Sequence, residues 1–179
     1  DIIDSNKDNC DIAFLPHRML GVDIRITSKN AKLVDELINT IVPRIKKYVY
    51  GFDKDKLEQV IADLLLKRNL TVSTAESCTS GLLAARLTDV PGSSKYFKGG
   101  SVCYSNELKI NDVGVKSDLI ERYGAVSEEV AGALAKNIAN KNNADIGIGI
   151  TGIAGPDGGS EKKPVGLVFV GIFYQNNLY

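Results

Sequence analysis

The 179-residue chain carries 22 basic and 22 acidic residues and is 44% hydrophobic. That is enough apolar content for one domain of ordinary size, or a domain with a smaller piece, and the balanced charge gives no global field for nucleic acid or an acidic membrane. A local anion site is still allowed. No apolar run approaches the ~20 residues that span a bilayer, and no basic-then-apolar leader opens the chain, so a cytoplasmic protein without membrane or nucleic-acid partners is expected.

Cys10, Cys78 and Cys103 are odd in number and lack C-x-x-C spacing. This argues against a disulfide framework and a zinc site, and reduced thiols with no metal or cofactor are expected. The chain opens on Asp1 and stops just after an apolar strand-like run, the pattern of a fragment of something longer.

In chain order, Cys10–Leu15 and Val22–Thr27 are short β-prone runs bounded by Pro16 and Gly21, which predicts a hairpin. Arg18 and Arg25 read as solvated charges. From Asn30 the spacing of Leu33, Leu37, Ile41 and Ile45 predicts a helix that Pro43 should kink or end. This β-β-α piece is small for independent stability and reads as an accessory segment. Tyr50-Gly51-Phe52 marks the boundary, with Asp53 placed to cap the next helix. That helix shows one apolar face through Leu57, Val60, Ile61, Leu64 and Leu65, and Asn69 suits its C′ position.

A strand over Leu70–Thr74 then meets a helix over Leu82–Leu87, and the stretch Ala75-Glu76-Ser77-Cys78-Thr79-Ser80-Gly81 is the turn between them. Such a turn can present a hydroxyl with free N–H groups beside it, the parts needed to attack a carbonyl and hold the oxyanion. Its plainer alternative is that Ser77 or Thr79 caps the helix. The single histidine, His17, is some sixty residues upstream, so the base must come from elsewhere unless His17 folds back.

Gly99–Tyr104 reads as a strand and Ser105 as the cap of a short helix, with Lys109 one turn in. Ser117 and Ser127 mark two more helix starts, the second followed by Glu128, Glu129 and the apolar series Val130, Leu134, Ile138. Ala144–Thr151 predicts a strand whose glycines allow close backbone approach. Gly152–Ser160 follows as a glycine-rich loop suited to an anion, and Val165–Tyr174 as a last strand before a turn at Gln175-Asn176-Asn177. Strands alternating with helices predict an α/β domain, a layered sheet with flanking helices, from about residue 52 onward.

Four ordered stretches carry a family resemblance: Ala75-Glu76-Ser77-Cys78-Thr79; Gly99-Gly100 leading to Tyr104-Ser105-Asn106-Glu107 and Lys109; Gly124-Ala125-Val126-Ser127-Glu128; and Thr151 through Gly159, then Lys163-Pro164-Val165-Gly166. Together they resemble the C-terminal domain of CinA, the bacterial competence/damage-inducible family. By this resemblance residues 52–179 are the amidohydrolase-like domain without its last strand and helix, and residues 1–51 are part of a KH-like segment. The large N-terminal domain of longer members, similar to molybdopterin-binding proteins and associated with ADP-ribose pyrophosphatase activity, is not in this sequence.

The resemblance implies hydrolysis of nicotinamide mononucleotide to nicotinate mononucleotide and ammonia in pyridine-nucleotide salvage, by a homodimer or higher homo-oligomer. It nominates Ser77 as nucleophile, Lys109 as base and Tyr104 as proton relay or orienting hydroxyl. Glu76, Thr79, Ser94, Thr151, Gly152, Gly155 and Asp157 are the expected substrate contacts, with the 5′-phosphate on the glycine loop and Ser94 as a secondary contact. Two alternatives stand beside this: Cys78 as nucleophile, and a nucleotide-binding or scaffold module without turnover. The chain departs from the family at Ser80, where members usually have Gly, and a side chain there is expected to narrow the pocket or disturb a backbone donor.

Overall fold

A computed structural model describes residues 9–17 and 21–179, which divide into two units, one up to Leu57 and one from Glu58 onward. In the first, β1 (Asp11–His17) and β2 (Gly21–Thr27) form an antiparallel hairpin. Pro16, expected to bound the connection, sits inside β1 opposite Val22, a position an edge strand tolerates because no ladder donor is needed there. Arg25 is exposed, and Arg18 lies outside the described residues. Helix α1 (Ala31–Ile45) is capped by the Asn30 side chain and contains Pro43; it tightens into a 3₁₀ turn at Lys46–Tyr48, three residues beyond that proline. Asp53 does not cap the following helix: it takes φ +51°, and Asp55 closes the turn by accepting the Phe52 N–H at 2.9 Å.

The second unit is built on a five-stranded sheet in the order β4-β3-β5-β6-β7. β3 (Val72–Glu76), β4 (Phe97–Val102) and β5 (Ile146–Gly152) are parallel, while β6 (Val168–Tyr174) and the short β7 (Asn177–Leu178) are antiparallel additions. β7 was not expected from the sequence; Gln175 and Asn176 both adopt positive φ and return the chain at once.

Helices α2 (Leu57–Arg68) and α3 (Leu82–Thr88) supply Ala62, Leu65 and Leu87 to a core with Val72, Val90 and Tyr96. Of the face expected on α2, Leu65 is buried but Ile61 and Leu64 are exposed, and Ala62 joins Leu65 in the buried stripe. Asn69 does end α2 in the left-handed conformation, at φ +52°. The opposite core joins Ala75 and Cys103 to Val113, Val115, Ile120, Val130, Leu134 and Ile138. It draws on α4 (Asn106–Asn111), α5 (Ser117–Tyr123) and α6 (Glu128–Lys141) and the turns between them. Ser117 is the first residue of α5 rather than its cap, which is Lys116.

The glycines of β5 are explained by α6. A methyl group at Gly147 or Gly149 would overlap the carbonyl oxygens of Ala135 and Ala131, so the helix backbone lies directly on the strand. Asp145 fastens the start of β5 to the start of β3: its carboxylate accepts the Thr71 N–H at 2.8 Å and the Thr71 hydroxyl at 2.6 Å. The hydroxyl, then the N–H, hold the Asp145 carboxyl below its usual range. A depressed carboxylate contributes stability above its unfolded-state pKa, and that stability is lost as pH falls through the folded one. Asp145→Asn should therefore lower stability at neutral pH by up to about 1 kcal/mol after solvent screening. Urea unfolding at a series of pH values should show this gap closing below the ordinary aspartate range; a gap independent of pH would contradict the assignment.

Candidate active site

Because β3, β4 and β5 are parallel, their C-terminal ends gather at one edge of the sheet, and Ser77 leaves β3 there. Its N–H still pairs with the sheet, donating to the Ile150 carbonyl at 3.0 Å. The chain then folds into a tight turn, with the Ser80 N–H on the Ser77 carbonyl at 3.1 Å and the Leu82 N–H on the Thr79 carbonyl at 3.0 Å. Ser77 does not cap α3, whose N-cap is Gly81 with no side-chain bond. The N–H groups of Cys78 and Thr79 make no backbone–backbone hydrogen bond among the described residues, and both point at the Cys78 sulfur closely enough to lower its pKa.

Strand alternation sends Glu76 and Ser77 to opposite faces. Ser77, 6% exposed, meets Lys109 from α4, 2% exposed. The Ser105 hydroxyl caps α4 by accepting the Leu108 N–H at 3.1 Å, which sets the turn that carries Lys109 inward. Lys109 Nζ has three neighbours, each at 3.0 Å: Ser77 Oγ, the Cys103 carbonyl and the Tyr104 carbonyl. Among the described residues it forms no ion pair with a carboxylate. Burial pushes its pKa down. A neutral amine has two N–H donors and one lone pair. With both carbonyls taking N–H groups, the lone pair is left for the Ser77 hydroxyl, the arrangement of a general base.

The other expected residues fall differently. Tyr104 contributes its carbonyl to Lys109, while its side chain is 63% exposed and its hydroxyl bonds to nothing among the described residues. Glu76 is not open to substrate: it is 1% exposed, and its two oxygens accept the Leu83 and Ala84 N–H groups at 2.9 and 2.8 Å. The Thr79 hydroxyl oxygen is buried without a partner among the described residues. Thr151 is buried, its hydroxyl donating to the Ala125 carbonyl at 2.8 Å.

Gly152 ends β5 at the same edge as Ser77, and a methyl group on it would come within 2.9 Å of Cys78 Sγ. The Cys78 thiol therefore packs against this glycine, and burial pushes its pKa up. Gly155, at φ +80°, folds the loop over Val165, and Asp157 is exposed near its tip.

Ser94 must be removed from the site. It lies in a 3₁₀ turn just before β4, and β4 runs parallel to β3 with Phe97 opposite Val72 and Val102 opposite Glu76. Ser94 is thus at the other end of the sheet from Ser77, ~13 Å of strand away. His17 lies in the first unit, in β1, with Nε2 2.8 Å from the Asp23 carboxylate.

Lys163 was not singled out by sequence reasoning. Its Nζ donates to the carbonyls of Tyr123 and Val126 at 2.8 and 2.7 Å, pinning the glycine loop to the turn before α6. With Ser127 on the Gly124 carbonyl and Thr151 on that of Ala125, four consecutive carbonyls are held by side chains. Only its place in the fourth motif marked Lys163, since a lone lysine in a loop is ordinarily solvated.

Among the described residues no three His, Cys, Asp or Glu side chains are grouped to hold a metal, and no helix is long and apolar enough to cross a membrane. The family model of the CinA C-terminal domain matches residues 54–179. The chain belongs to the CinA family.

It is 48% identical over 162 residues to a CinA-like protein of Dictyoglomus thermophilum, covering 89% of the chain and 39% of that protein. It is 53% identical over 139 residues to a putative competence-damage inducible protein of Moorella thermoacetica, covering 78% and 34% respectively. The chain thus spans less than half the length of these curated relatives.

Among solved structures, the competence/damage inducible protein CihA of Agrobacterium tumefaciens matches with a TM-score of 0.68 at 39% identity, over 73% of this chain and 80% of that one. A CinA superfamily protein of Escherichia coli matches with a TM-score of 0.67 at 31% identity, over 75% and 81%.

Ser80, where the family resemblance leads one to expect glycine, adopts φ +51°. Its side chain is exposed and its N–H keeps the turn bond to Ser77, so the substitution strains the backbone rather than filling the pocket. A non-glycine residue in this region costs about 1 kcal/mol. Ser80→Gly should therefore raise the midpoint of thermal unfolding by about 2–4 °C; an unchanged or lowered midpoint would show that the strain is absent.

Proposed function

We propose that the domain over residues 52–179 hydrolyses the carboxamide of nicotinamide mononucleotide, giving nicotinate mononucleotide and ammonia. The observation that carries this reading is the 3.0 Å contact between Ser77 Oγ and a buried Lys109 amine whose other neighbours are carbonyls. Neutral Lys109 takes the Ser77 proton as Oγ adds to the amide carbon. The N–H groups of Cys78 and Thr79, taken by no backbone carbonyl and directed only at the Cys78 sulfur, are the available donors for the oxyanion. Lys109 then returns the proton to the departing nitrogen, ammonia leaves, and an acyl-Ser77 ester remains. A water, deprotonated by the same amine, adds to the ester and releases the carboxylate and the serine hydroxyl.

Two observations support Ser77 over Cys78. The thiol packs against Gly152 with a raised pKa, and Lys109 bonds the hydroxyl and not the sulfur. Tyr104, whose carbonyl accepts from Lys109 and whose side chain is exposed, is the residue we assign to substrate contact. For the 5′-phosphate we favour the glycine loop, since the N–H groups of Gly155, Asp157, Gly158 and Gly159 have no partner among the described residues.

Ser77→Ala and Lys109→Met should each lower kcat for ammonia release by about 10³-fold or more while leaving the circular dichroism spectrum unchanged. The wild-type rate should rise with pH as Lys109 loses its proton, with a midpoint below the ordinary lysine range. The dephosphorylated riboside should react far more slowly than the mononucleotide. Near wild-type turnover by either variant would remove the assignment, and equal rates for riboside and mononucleotide would remove the phosphate site.

A further inference from the structure

Glu76 is the one buried carboxylate among the described residues, and it faces neither a cation nor solvent. Its role follows from a full accounting of the first turn of α3. The Leu82 N–H donates to the Thr79 carbonyl at 3.0 Å and the Ala85 N–H to the Gly81 carbonyl at 2.9 Å. The two between them, Leu83 and Ala84, both donate to the Glu76 carboxylate. Gly81, as N-cap, offers no side chain, and a seven-residue helix has little stability of its own.

One residue therefore holds both ends of the Ser77–Gly81 turn. The Glu76 backbone is fixed in β3, its carbonyl accepting the Cys103 N–H at 2.9 Å, and its side chain fixes α3. The donors of this closed turn that no backbone carbonyl takes include the Cys78 and Thr79 N–H groups beside Ser77.

We infer that Glu76 is a positioning residue: by bridging strand and helix it holds the Ser77 hydroxyl and the adjacent N–H groups in register, without touching substrate. The inference rests on the reading of Ser77 as nucleophile. Misplacing a reacting group by about 1 Å costs on the order of 100-fold in rate. Glu76→Gln keeps the shape and one acceptor, but turns an NH₂ toward a backbone donor. Glu76→Ala loses both acceptors.

The test is the rate at which phenylmethylsulfonyl fluoride labels Ser77, followed by mass spectrometry from about pH 6 to 10, in wild type and both variants, with circular dichroism to confirm folding. Labelling should slow about tenfold in the glutamine variant and about 100-fold in the alanine variant, with the pH midpoint unmoved. kcat for the mononucleotide should fall in parallel, with KM within about twofold.

Labelling at the wild-type rate in either folded variant overturns the inference. So does a displaced pH midpoint, which would make Glu76 an electrostatic partner of Lys109. Should the alanine variant not fold, the glutamine variant alone decides. Wild-type protein that is not labelled at Ser77 defeats the nucleophile reading and this inference with it. Labelled protein that releases no ammonia defeats only the choice of substrate.

Discussion

A lysine amine held among two carbonyls and a hydroxyl, with no carboxylate among the described residues to keep it charged, is the constraint on which this site depends. Placing such a group inside a protein disfavours its cationic form. The two carbonyls accept N–H bonds from either charge state, so they orient the amine without fixing its proton. In the neutral amine what remains is a lone pair for Ser77, and the fold keeps the two together by tying both partners down. Lys109 stands on a helix capped by Ser105, its own carbonyl accepts the Val115 N–H at 2.9 Å, and Ser77 is held to β5 through Ile150.

The sheet explains why these pieces meet. Parallel β3, β4 and β5 bring the Ser77 turn, the loop bearing Tyr104 and the glycine loop to one edge. Strand alternation then divides the labour at the end of β3: Glu76 turns toward α3 and Ser77 toward α4. Glycines permit the close packing this requires. Gly152 admits the Cys78 sulfur, and Gly100 lies where a methyl group would strike the Thr74 hydroxyl. Lys163 completes the arrangement by fastening the long connection between β5 and β6 to the turn before α6.

Much of this was legible in the residues. Period and capping gave α1, α4 and α6, and the Ser77 turn was readable from a β-rich run meeting a helical one. The pairing of Ser77 with Lys109 came from the family resemblance and not from spacing, since 32 residues separate them in sequence. Other features were hidden for physical reasons. Sequence does not reveal strand direction, so Ser94 looked like a phosphate contact until parallel pairing put it at the wrong end of the sheet. A glutamate beside a candidate nucleophile resembles a substrate ligand, and only three dimensions show its oxygens spent on a helix. Helical periodicity on α2 marked Ile61, Leu64 and Leu65 as core, but only Leu65 packs, with Ala62 beside it.

The charge state of Lys109 is the central claim, and it can be read without any substrate. Protein labelled with ¹³C at the lysine Cε positions, titrated by NMR with Lys109→Met to assign the resonance, should show Lys109 losing its proton well below the other lysines, in step with the pH dependence of Ser77 reactivity. A Lys109 resonance that titrates together with the exposed lysines would mean the amine is charged at neutral pH, and the base assigned to Ser77 would be wrong.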